Sequence, residues 1–433
     1  MKKIIFIMLF SLLLFTGCGA ESPPEQVNLL IKVPALQMTS ISNDEVIDAE
    51  TFMNLAVSEY RKTHENVNVI IDVVDMTDMQ RAVTGTSGTD SAPDIVFGGY
   101  LNIAGYVYYG NVVPLDDIIT NEMRDDISDY LWTQGEINGK TYLIPFMSYQ
   151  NIMSYNKELF RECGLDEYIS KKDYEIQNWS IDDWNIILDT LAEKLPAGSY
   201  PMMMYAGDDQ GDTHIMALLS AFGGNMYTAD GKFDFESEEI IKALTWIRDG
   251  VDRGWYMPHS ENLVISDNHD KFNAGELALY HCNNANINTD GIEQGYVNFP
   301  GNTATSFVTG FEVMDNGDDE KLATAKDFVK FIYNNDTLLE CSAGEIPASN
   351  KVAKKYASQI DMLGAFAVNS SNIIDFMNGS ANWQGSSDGT SVRDVFWVHI
   401  HELLAGDVSV EECAKRLNED CNQAIAYEGI LHE

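Results

Sequence analysis

The chain has 433 residues, of which 45% are hydrophobic, so it is long and apolar enough for about two to three domains with sizeable cores. It carries 67 acidic against 27 basic residues and has a formal net charge of −40. This excess of negative charge excludes nucleic acids and anionic membrane surfaces as partners. Beyond the N-terminal segment, no apolar run approaches the ~20 residues that a membrane-spanning helix needs.

Residues 1–17 have the pattern of a secretory signal peptide. Two lysines precede an apolar stretch at 4–15 that is too short to span a membrane. The residues before Cys18 are small, as in a bacterial lipobox, although Phe15 stands where that motif usually has leucine. We therefore expect Cys18 to carry a lipid anchor on the extracytoplasmic face of the cell membrane, followed by a flexible tether at 18–26. The alternative is an ordinary signal peptide that is cut elsewhere.

The remaining five cysteines predict free, buried thiols. Their number is odd and no Cys-x-x-Cys pair is present, which disfavours a zinc site or a disulfide framework. They are Cys163, Cys282, Cys341, Cys413 and Cys421. No metal or cofactor is predicted.

The apolar pattern alternates between strands and helices and predicts an α/β fold with helices on both faces of a sheet. The strand-like segments are 27–33, 67–74 and 94–97, and the amphipathic helices are 50–62, one between Ser237 and Gly254, 321–333, one from Val392 and one from Val410.

Three local motifs suggest chemistry, but each has a simpler interpretation. Residues 385–389 match Gly-x-Ser-x-Gly, yet the preceding residues have loop composition and not the strand that a serine hydrolase needs. His399 and His401 would point about 200° apart on a helix, so they are poorly placed to share a metal ion. The acidic stretch 315–320 lacks the spacing of an EF-hand and is expected to be a solvated turn.

Several short segments follow one another in a distinctive order. They are 92–96 (APDIV), 110–116 (GNVVPLD), 137–142 (INGKTY), 155–160 (YNKELF), 272–278 (FNAGELA) and 344–349 (GEIPAS). Across nearly the whole mature chain this order resembles the family 1 extracellular solute-binding proteins, the maltose-binding-protein-like receptors of ABC importers.

The resemblance implies a two-lobed periplasmic-binding-protein fold of type II, in which each lobe is an α/β sheet and the ligand lies in the cleft. The chain would cross between lobes near 147–150, near 298–301 and after 346–347. Lobe one would comprise 27–146 and 302–358, and lobe two would comprise 151–297 and 359–433.

The resemblance also places candidate ligand contacts in the cleft. They are Tyr100, Asn102, Tyr149, Gln150, Asp208, Asp209, Asp212, Asn283, Asn284 and Trp383. Aromatic rings suit the apolar faces of sugars, and planar polar groups suit their hydroxyls.

Each of these candidates has a structural alternative. Tyr100 and Tyr149 could be core aromatics, the loop 208–212 could be a solvated turn, and the two asparagines could simply end a strand. Trp383 stands in a loop rich in Gly, Ser and Asn, which favours a contact role. Where sugar binders of the family often carry a tryptophan, this chain has Asn283 and Asn284.

The functional expectation is a monomeric receptor, and not an enzyme, that delivers a small solute to the permease subunits of an ABC importer. A carbohydrate is the expected solute. The rival interpretation is a secreted glycan hydrolase, because that activity needs only two carboxylates across a cleft.

Overall fold

The computed structural model describes residues 26–39, 46–108, 112–228, 232–284, 287, 291–359, 362–374 and 392–426. The predicted signal peptide, the predicted lipidation site Cys18 and the predicted ligand contact Trp383 lie outside these residues. Among the helices that are described, none combines the length and the apolar content needed to cross a bilayer.

The first part of the chain alternates strands and helices. Its elements are β1 (Val27–Pro34), β2 (Gln37–Thr39), β3 (Val46–Asp48), α1 (Ala49–Tyr60), β4 (Val67–Val74), α2 (Met79–Thr84), β5 (Ile95–Gly99) and α3 (Ile103–Tyr108). Helix α1 begins where the Asp48 carboxylate accepts a 2.6 Å hydrogen bond from the backbone N–H of Thr51. Phe52, Ala56 and Tyr60 then fall on one buried face, as their spacing predicts. Leu55, which the apolar pattern places on the same stripe, is exposed instead.

The middle of the chain contains more helix than strand and includes one long strand. Its elements are α4 (Asn121–Asp126), α5 (Asp129–Gln134), β6 (Glu136–Ile137), β7 (Lys140–Thr141), β8 (Ile144–Asn156), α6 (Lys157–Cys163), β9 (Ile176–Gln177), α7 (Ile181–Lys194), α8 (Thr213–Leu219), α9 (Glu238–Asp252), α10 (Ile265–Asn273), β10 (Leu279–Asn283) and β11 (Gln294–Val297). Ser180 and Asp183 exchange backbone and side-chain hydrogen bonds and cap α7.

The last part adds one more long strand and the C-terminal helices. Its elements are β12 (Thr305–Val313), α11 (Asp319–Tyr333), α12 (Asp336–Leu339), β13 (Ile346–Pro347), α13 (Asn350–Tyr356), α14 (Leu363–Asn369), α15 (Val392–Ala405) and α16 (Val410–Ala426). The helices predicted at 321–333, from Val392 and from Val410 therefore form.

A mixed sheet of nine strands runs through the described part of the molecule. Along its main path the order is β4-β1-β5-β12-β8-β11-β9, and β10 and β13 also pair with β8. Strand β1 is parallel to β4 and β5, whereas β10, β11, β12 and β13 all run antiparallel to β8. Strand β8 therefore connects the two sides of the sheet, because it pairs with β12 on one side and with β11 on the other.

The long strand β8 changes partners along its 13 residues. It pairs with β12 from Ile144 to Asn151 and with β11 from Met153 to Asn156. At the β12 contact the two backbones approach so closely that a Cβ on Gly310 would lie 2.1 Å from the Ile144 carbonyl oxygen. Only glycine fits there.

Four phenylalanine rings occupy the centre of the largest core cluster. Phe52, Phe97, Phe146 and Phe311 come from α1, β5, β8 and β12, and their ring centroids lie 4.8 to 6.4 Å apart. Burying each ring contributes about 1.5–3 kcal/mol. This cluster fixes the first half of β8, and so it fixes the strand that leads into the predicted site.

The cysteines of the described chain are free thiols. Cys163, Cys282, Cys413 and Cys421 are buried and Cys341 is half-buried. Burial raises the pKa of the Cys413 thiol to about 12, which leaves it unreactive.

Candidate ligand-binding site

Gln150 lies at the middle of β8 and is fully buried. Its side-chain amide donates to the carbonyl oxygen of Phe366 at 3.0 Å, and its backbone N–H donates to the Asn284 Oδ1 atom at 3.0 Å. Its Oε1 atom accepts a longer bond, 3.4 Å, from the Asn369 amide. Residues far away in the chain therefore fix both the backbone and the side chain of Gln150.

Asn284 connects Gln150 to Glu345. It follows β10 directly, and Glu345 stands one residue before β13, so both residues come from strands that pair with β8. The Asn284 Nδ2 atom donates to the Glu345 Oε2 atom at 2.8 Å. Glu345 is only 6% exposed, so its carboxylate lies in a region of low polarity.

Tyr149 precedes Gln150 and has a half-buried ring. Its hydroxyl is buried and has no hydrogen-bond partner within the described residues. Burial, assisted by the negative charge of Glu345, raises the pKa of Tyr149 well above the usual value, so the phenol stays protonated. An unsatisfied hydroxyl donor therefore lies near a buried carboxylate acceptor.

A network of side-chain amides continues from Gln150 through Asn369 and Asn298 to Asn178. Asn298 and Asn369 exchange side-chain hydrogen bonds at 2.7 and 2.8 Å, and Asn298 also donates to Asn178 at 2.7 Å. Asn298 and Asn369 are both buried. The network joins Gln150 of β8 to the residue that follows β11 and to the end of α14, so three elements fix the same backbone.

The acidic loop 208–212 forms a separate cluster around Arg393 at the start of α15. Arg393 Nε lies 2.9 Å from the Asp212 Oδ2 atom, Arg393 Nη1 lies 3.4 Å from Asp209, and Asp208 accepts from the backbone N–H of Gln210 at 3.1 Å. Asp212 is 3% exposed, and burial raises the pKa of Asp209. These contacts give the loop a structural role in docking α15.

Tyr205 and His214, which flank this loop in the chain, form a buried cluster with His281. The Tyr205 hydroxyl lies 2.5 Å from His281 Nδ1, and the centroid of the His214 ring lies 4.1 Å from that of the Tyr205 ring, with the two planes tilted by 35°. Burial lowers the pKa of His214 to about 3, so it is neutral at physiological pH. The cluster packs His281 of β10 against the first turn of α8.

Three other predicted contacts, Asn283, Asn102 and Tyr100, lie at or just after the ends of strands β10 and β5. Asn283 ends β10 and is half-buried, and Asn102 is 6% exposed with a buried Oδ1 atom that has no partner in the described part of the chain. Tyr100 begins a short 3-10 turn after β5. The structure brings together Tyr149, Gln150 and Asn284, and it holds Asp209 and Asp212 against Arg393.

Sequence reasoning did not identify Glu345, Asn298 or Asn369. Glu345 lies within the 344–349 segment, so the motif was available as a signal. The two asparagines carried no local signal, because their partners are 71 residues apart in the chain.

The local motifs that suggested other chemistry have structural partners. His399 lies 2.7 Å from Asp420 and 3.2 Å from Glu402, whereas His401 contacts Asn262. Asp318 caps α11 by accepting from two backbone N–H groups. The Gly-x-Ser-x-Gly segment at 385–389 lies outside the described residues.

A cavity of about 220 Å³ opens beside α4 and the end of α11, among residues that were not predicted as ligand contacts. Asp126, one of its three acidic lining residues, accepts hydrogen bonds from the Ser349 hydroxyl and the Lys351 backbone. The Tyr149 region differs in presenting a buried hydroxyl that has no partner among the described residues.

Two relatives of known name match part of the chain. A binding protein of Brucella abortus is 20% identical over 202 residues, so the chain spans 46% of that relative's length. The diacetylchitobiose-binding protein DasA of Streptomyces coelicolor is 22% identical over 302 residues, or 66% of each chain.

The fold is shared with a solved structure. The cyclic α-maltosyl-1,6-maltose-binding protein of Arthrobacter globiformis is 19% identical, covers 92% of this chain and 99% of its own, and superposes with a TM-score of 0.72. The predicted α/β periplasmic-binding-protein fold is thereby confirmed. The family model of the bacterial extracellular solute-binding proteins matches residues 43–337, which is more than half of the chain. The chain therefore belongs to the bacterial extracellular solute-binding proteins.

Proposed function

We propose that the protein captures a carbohydrate through the region around Tyr149, Asn284 and Glu345. The observation that supports this is the Tyr149 hydroxyl, which has no hydrogen-bond partner among the described residues and lies next to the Ser148–Ile346 pair that brings Glu345 alongside β8. A ligand hydroxyl can accept a hydrogen bond from Tyr149 and donate one to Glu345 at the same time. An aliphatic ligand group could do neither, so a polyhydroxylated solute fits this pair best.

The relatives support the same class of solute. DasA is named for a disaccharide, and the Arthrobacter protein is named for a cyclic oligosaccharide. The remaining predicted contacts, Tyr100, Asn102, Gln150, Asp208, Asp209, Asp212, Asn283 and Trp383, stay predictions. So do the lobe limits and the cleft between them.

The first test is a ligand screen followed by one substitution. Purified protein is screened by thermal shift against mono- and oligosaccharides, because a ligand that binds only the folded state raises Tm. With a ligand found in this way, Tyr149→Phe should weaken binding about three- to tenfold, the size of one hydrogen bond. Calorimetric titration measures the change.

The control for this test is stability. Because the Tyr149 hydroxyl has no hydrogen-bond partner within the part of the chain that the structure describes, its removal should leave Tm unchanged or slightly higher. Tyr168→Phe removes a hydroxyl from a 3-10 turn between α6 and α7 and should leave affinity unchanged. Unaltered affinity in Tyr149→Phe, or an equal loss in both variants, would count against the proposed site.

We also propose that the receptor is tethered through a lipid on Cys18 and passes its solute to an ABC permease. The order of small residues before Cys18 supports the anchor. Cys18→Ser should release the protein from membranes, because a lipid chain would be its hydrophobic attachment. Fractionation after a salt wash measures this, and Cys341→Ser is the matched control. Membrane retention of Cys18→Ser would disprove the anchor.

A further inference from the structure

We propose that Glu345, oriented by Asn284, makes the site selective against acidic sugars, so that the solute is uncharged or cationic where it meets Tyr149. This inference rests on the proposed carbohydrate-binding function and specifies the ligand of that same site. Sugars that carry a carboxylate, a sulfate or a phosphate at this position are excluded.

The orientation of Asn284 is fixed by a backbone group. The Gln150 N–H can only donate, so the atom of Asn284 that faces it at 3.0 Å must be the carbonyl oxygen. The Nδ2 atom therefore faces Glu345, and the 2.8 Å bond makes the Glu345 oxygen an acceptor. The Glu345 Oε2 atom therefore accepts from Asn284, and this bond fixes the orientation of the carboxyl group.

Burial increases the effect of this charge. Glu345 is 6% exposed and lies beside Tyr149 in the β8–β13 pairing, and its negative charge adds to the effect of burial in raising the pKa of Tyr149. A second negative charge at the Tyr149 hydroxyl would meet the same field with little water to screen it. Like charges brought together in this way lower affinity by about a hundredfold or more.

The cation beside the acidic loop 208–212 is already paired. Arg393, at the start of α15, contacts both Asp209 and Asp212. Arg393 is therefore not available to neutralise an acidic ligand.

The net negative charge of the whole chain also disfavours the binding of acidic sugars, at longer range than Glu345. A net charge of −40 repels anionic solutes before they reach the site. This long-range effect is screened by salt, whereas the effect of a buried carboxylate at contact is not. The two contributions can thus be separated by ionic strength.

The experiment is a titration panel with the whole mature chain. The panel contains neutral oligosaccharides of hexoses and N-acetylhexosamines, glucosamine oligosaccharides, uronic acid oligosaccharides and hexose phosphates. We expect ligands only among the neutral and cationic classes, at both 20 mM and 500 mM salt (roughly 20 and 4 Å of Debye length). An acidic ligand whose binding is weakened by Tyr149→Phe would overturn the inference.

The substitution Glu345→Gln isolates the contribution of this residue. The acidic derivative of a neutral ligand, made by oxidising its reducing end or a primary hydroxyl to a carboxylate, should gain at least tenfold in affinity relative to the neutral parent. Glu320→Gln changes the net charge equally at an exposed position of α11 and should leave the ratio unchanged. Equal ratios in the two variants would assign the selectivity to overall charge and overturn the proposal.

Failure of the inference is distinguishable from failure of the proposed function. If no sugar of any class binds, the carbohydrate function itself is wrong and the inference falls with it. If neutral and acidic sugars bind equally well in wild-type protein at high salt, the receptor function stands and only the role of Glu345 is wrong. The salt comparison needs no variant, so it decides the matter even where Glu345→Gln does not fold.

Discussion

Glu312 of β12 is fully buried, and neither of its carboxyl oxygens has a hydrogen-bond partner among the described residues. The carboxyl lies close to the backbone of Gly98, where a Cβ would come within 3.6 Å of it. Burial raises the pKa of Glu312 well above the usual value. The group is therefore expected to keep its proton in the folded protein at pH values where an exposed glutamate is ionised, and it lies beside strand β5.

Glu312→Gln should stabilise the protein increasingly as pH rises. In the unfolded chain a glutamate ionises near pH 4.3, whereas Glu312 keeps its proton in the folded state to much higher pH. Above pH 4.3 the unfolded state therefore binds fewer protons, and wild-type stability falls by up to about 1.4 kcal/mol per pH unit. Glutamine has the same shape and does not titrate, so it removes this loss.

Urea unfolding of wild type and Glu312→Gln at pH 5 and pH 8 measures the effect. The stability of the variant relative to wild type should be clearly greater at pH 8 than at pH 5. Glu320→Gln, at an exposed position, gives the baseline for a surface glutamate. A difference between wild type and Glu312→Gln that does not change with pH would show that Glu312 is ionised in the folded protein.

At the scale of elements, local sequence signals place helices well. Helix α9 was expected between Ser237 and Gly254 and spans Glu238–Asp252, and Gly254 has the positive φ of 73° that ends such helices. Helix α11 starts at Asp319, two residues before the predicted start, because the Asp318 carboxylate accepts from the N–H groups of Glu320 and Lys321. Helix caps and apolar stripes involve residues that are close together in the chain, so both can be recognised in the sequence.

The strand β8 could not be foreseen from its own residues. Twelve of its 13 residues are buried, so its sequence lacks the polar-apolar alternation that marks a strand with one exposed face. Its length depends on pairing with β12, β10 and β11, which are more than a hundred residues further along the chain. A chain-long resemblance predicted a crossing at 147–150, but only the fold shows one continuous strand there.

The same limit applies to the candidate site. Tyr149, Gln150 and Asn284 were predicted from their positions in a familiar order of segments. Glu345 was missed as a partner because its bond to Asn284 joins residues 61 apart, and the partner of Asp212, Arg393, is 181 residues away. In a chain with 67 acidic residues, the sequence does not show which carboxylates are near a given polar side chain. Only the fold shows which of them lie close together.

At the scale of the whole molecule, β8 and β12 are the two long strands that run side by side through the centre of the sheet. With the predicted lobe limits, 27–146 with 302–358 and 151–297 with 359–433, the Asn284–Glu345 bond joins lobe two to lobe one. The amide network of Gln150, Asn298 and Asn369 then belongs to the crossing segments and to lobe two. A relative rotation of the lobes would leave that network intact and act on the Asn284–Glu345 contact.

Ligand binding should therefore compact the molecule. A sugar that contacts Tyr149 and Glu345 and also reaches the predicted contacts of lobe two would hold the lobes together, because it stabilises the arrangement in which both sets of contacts form. Small-angle scattering with and without a ligand from the screen should show a smaller radius of gyration in its presence. A sugar that gives no thermal shift serves as the control and should leave the radius unchanged. If the bound and free proteins scatter identically at saturating ligand, the hinged two-lobe mechanism is wrong for this receptor, even though the sugar still binds.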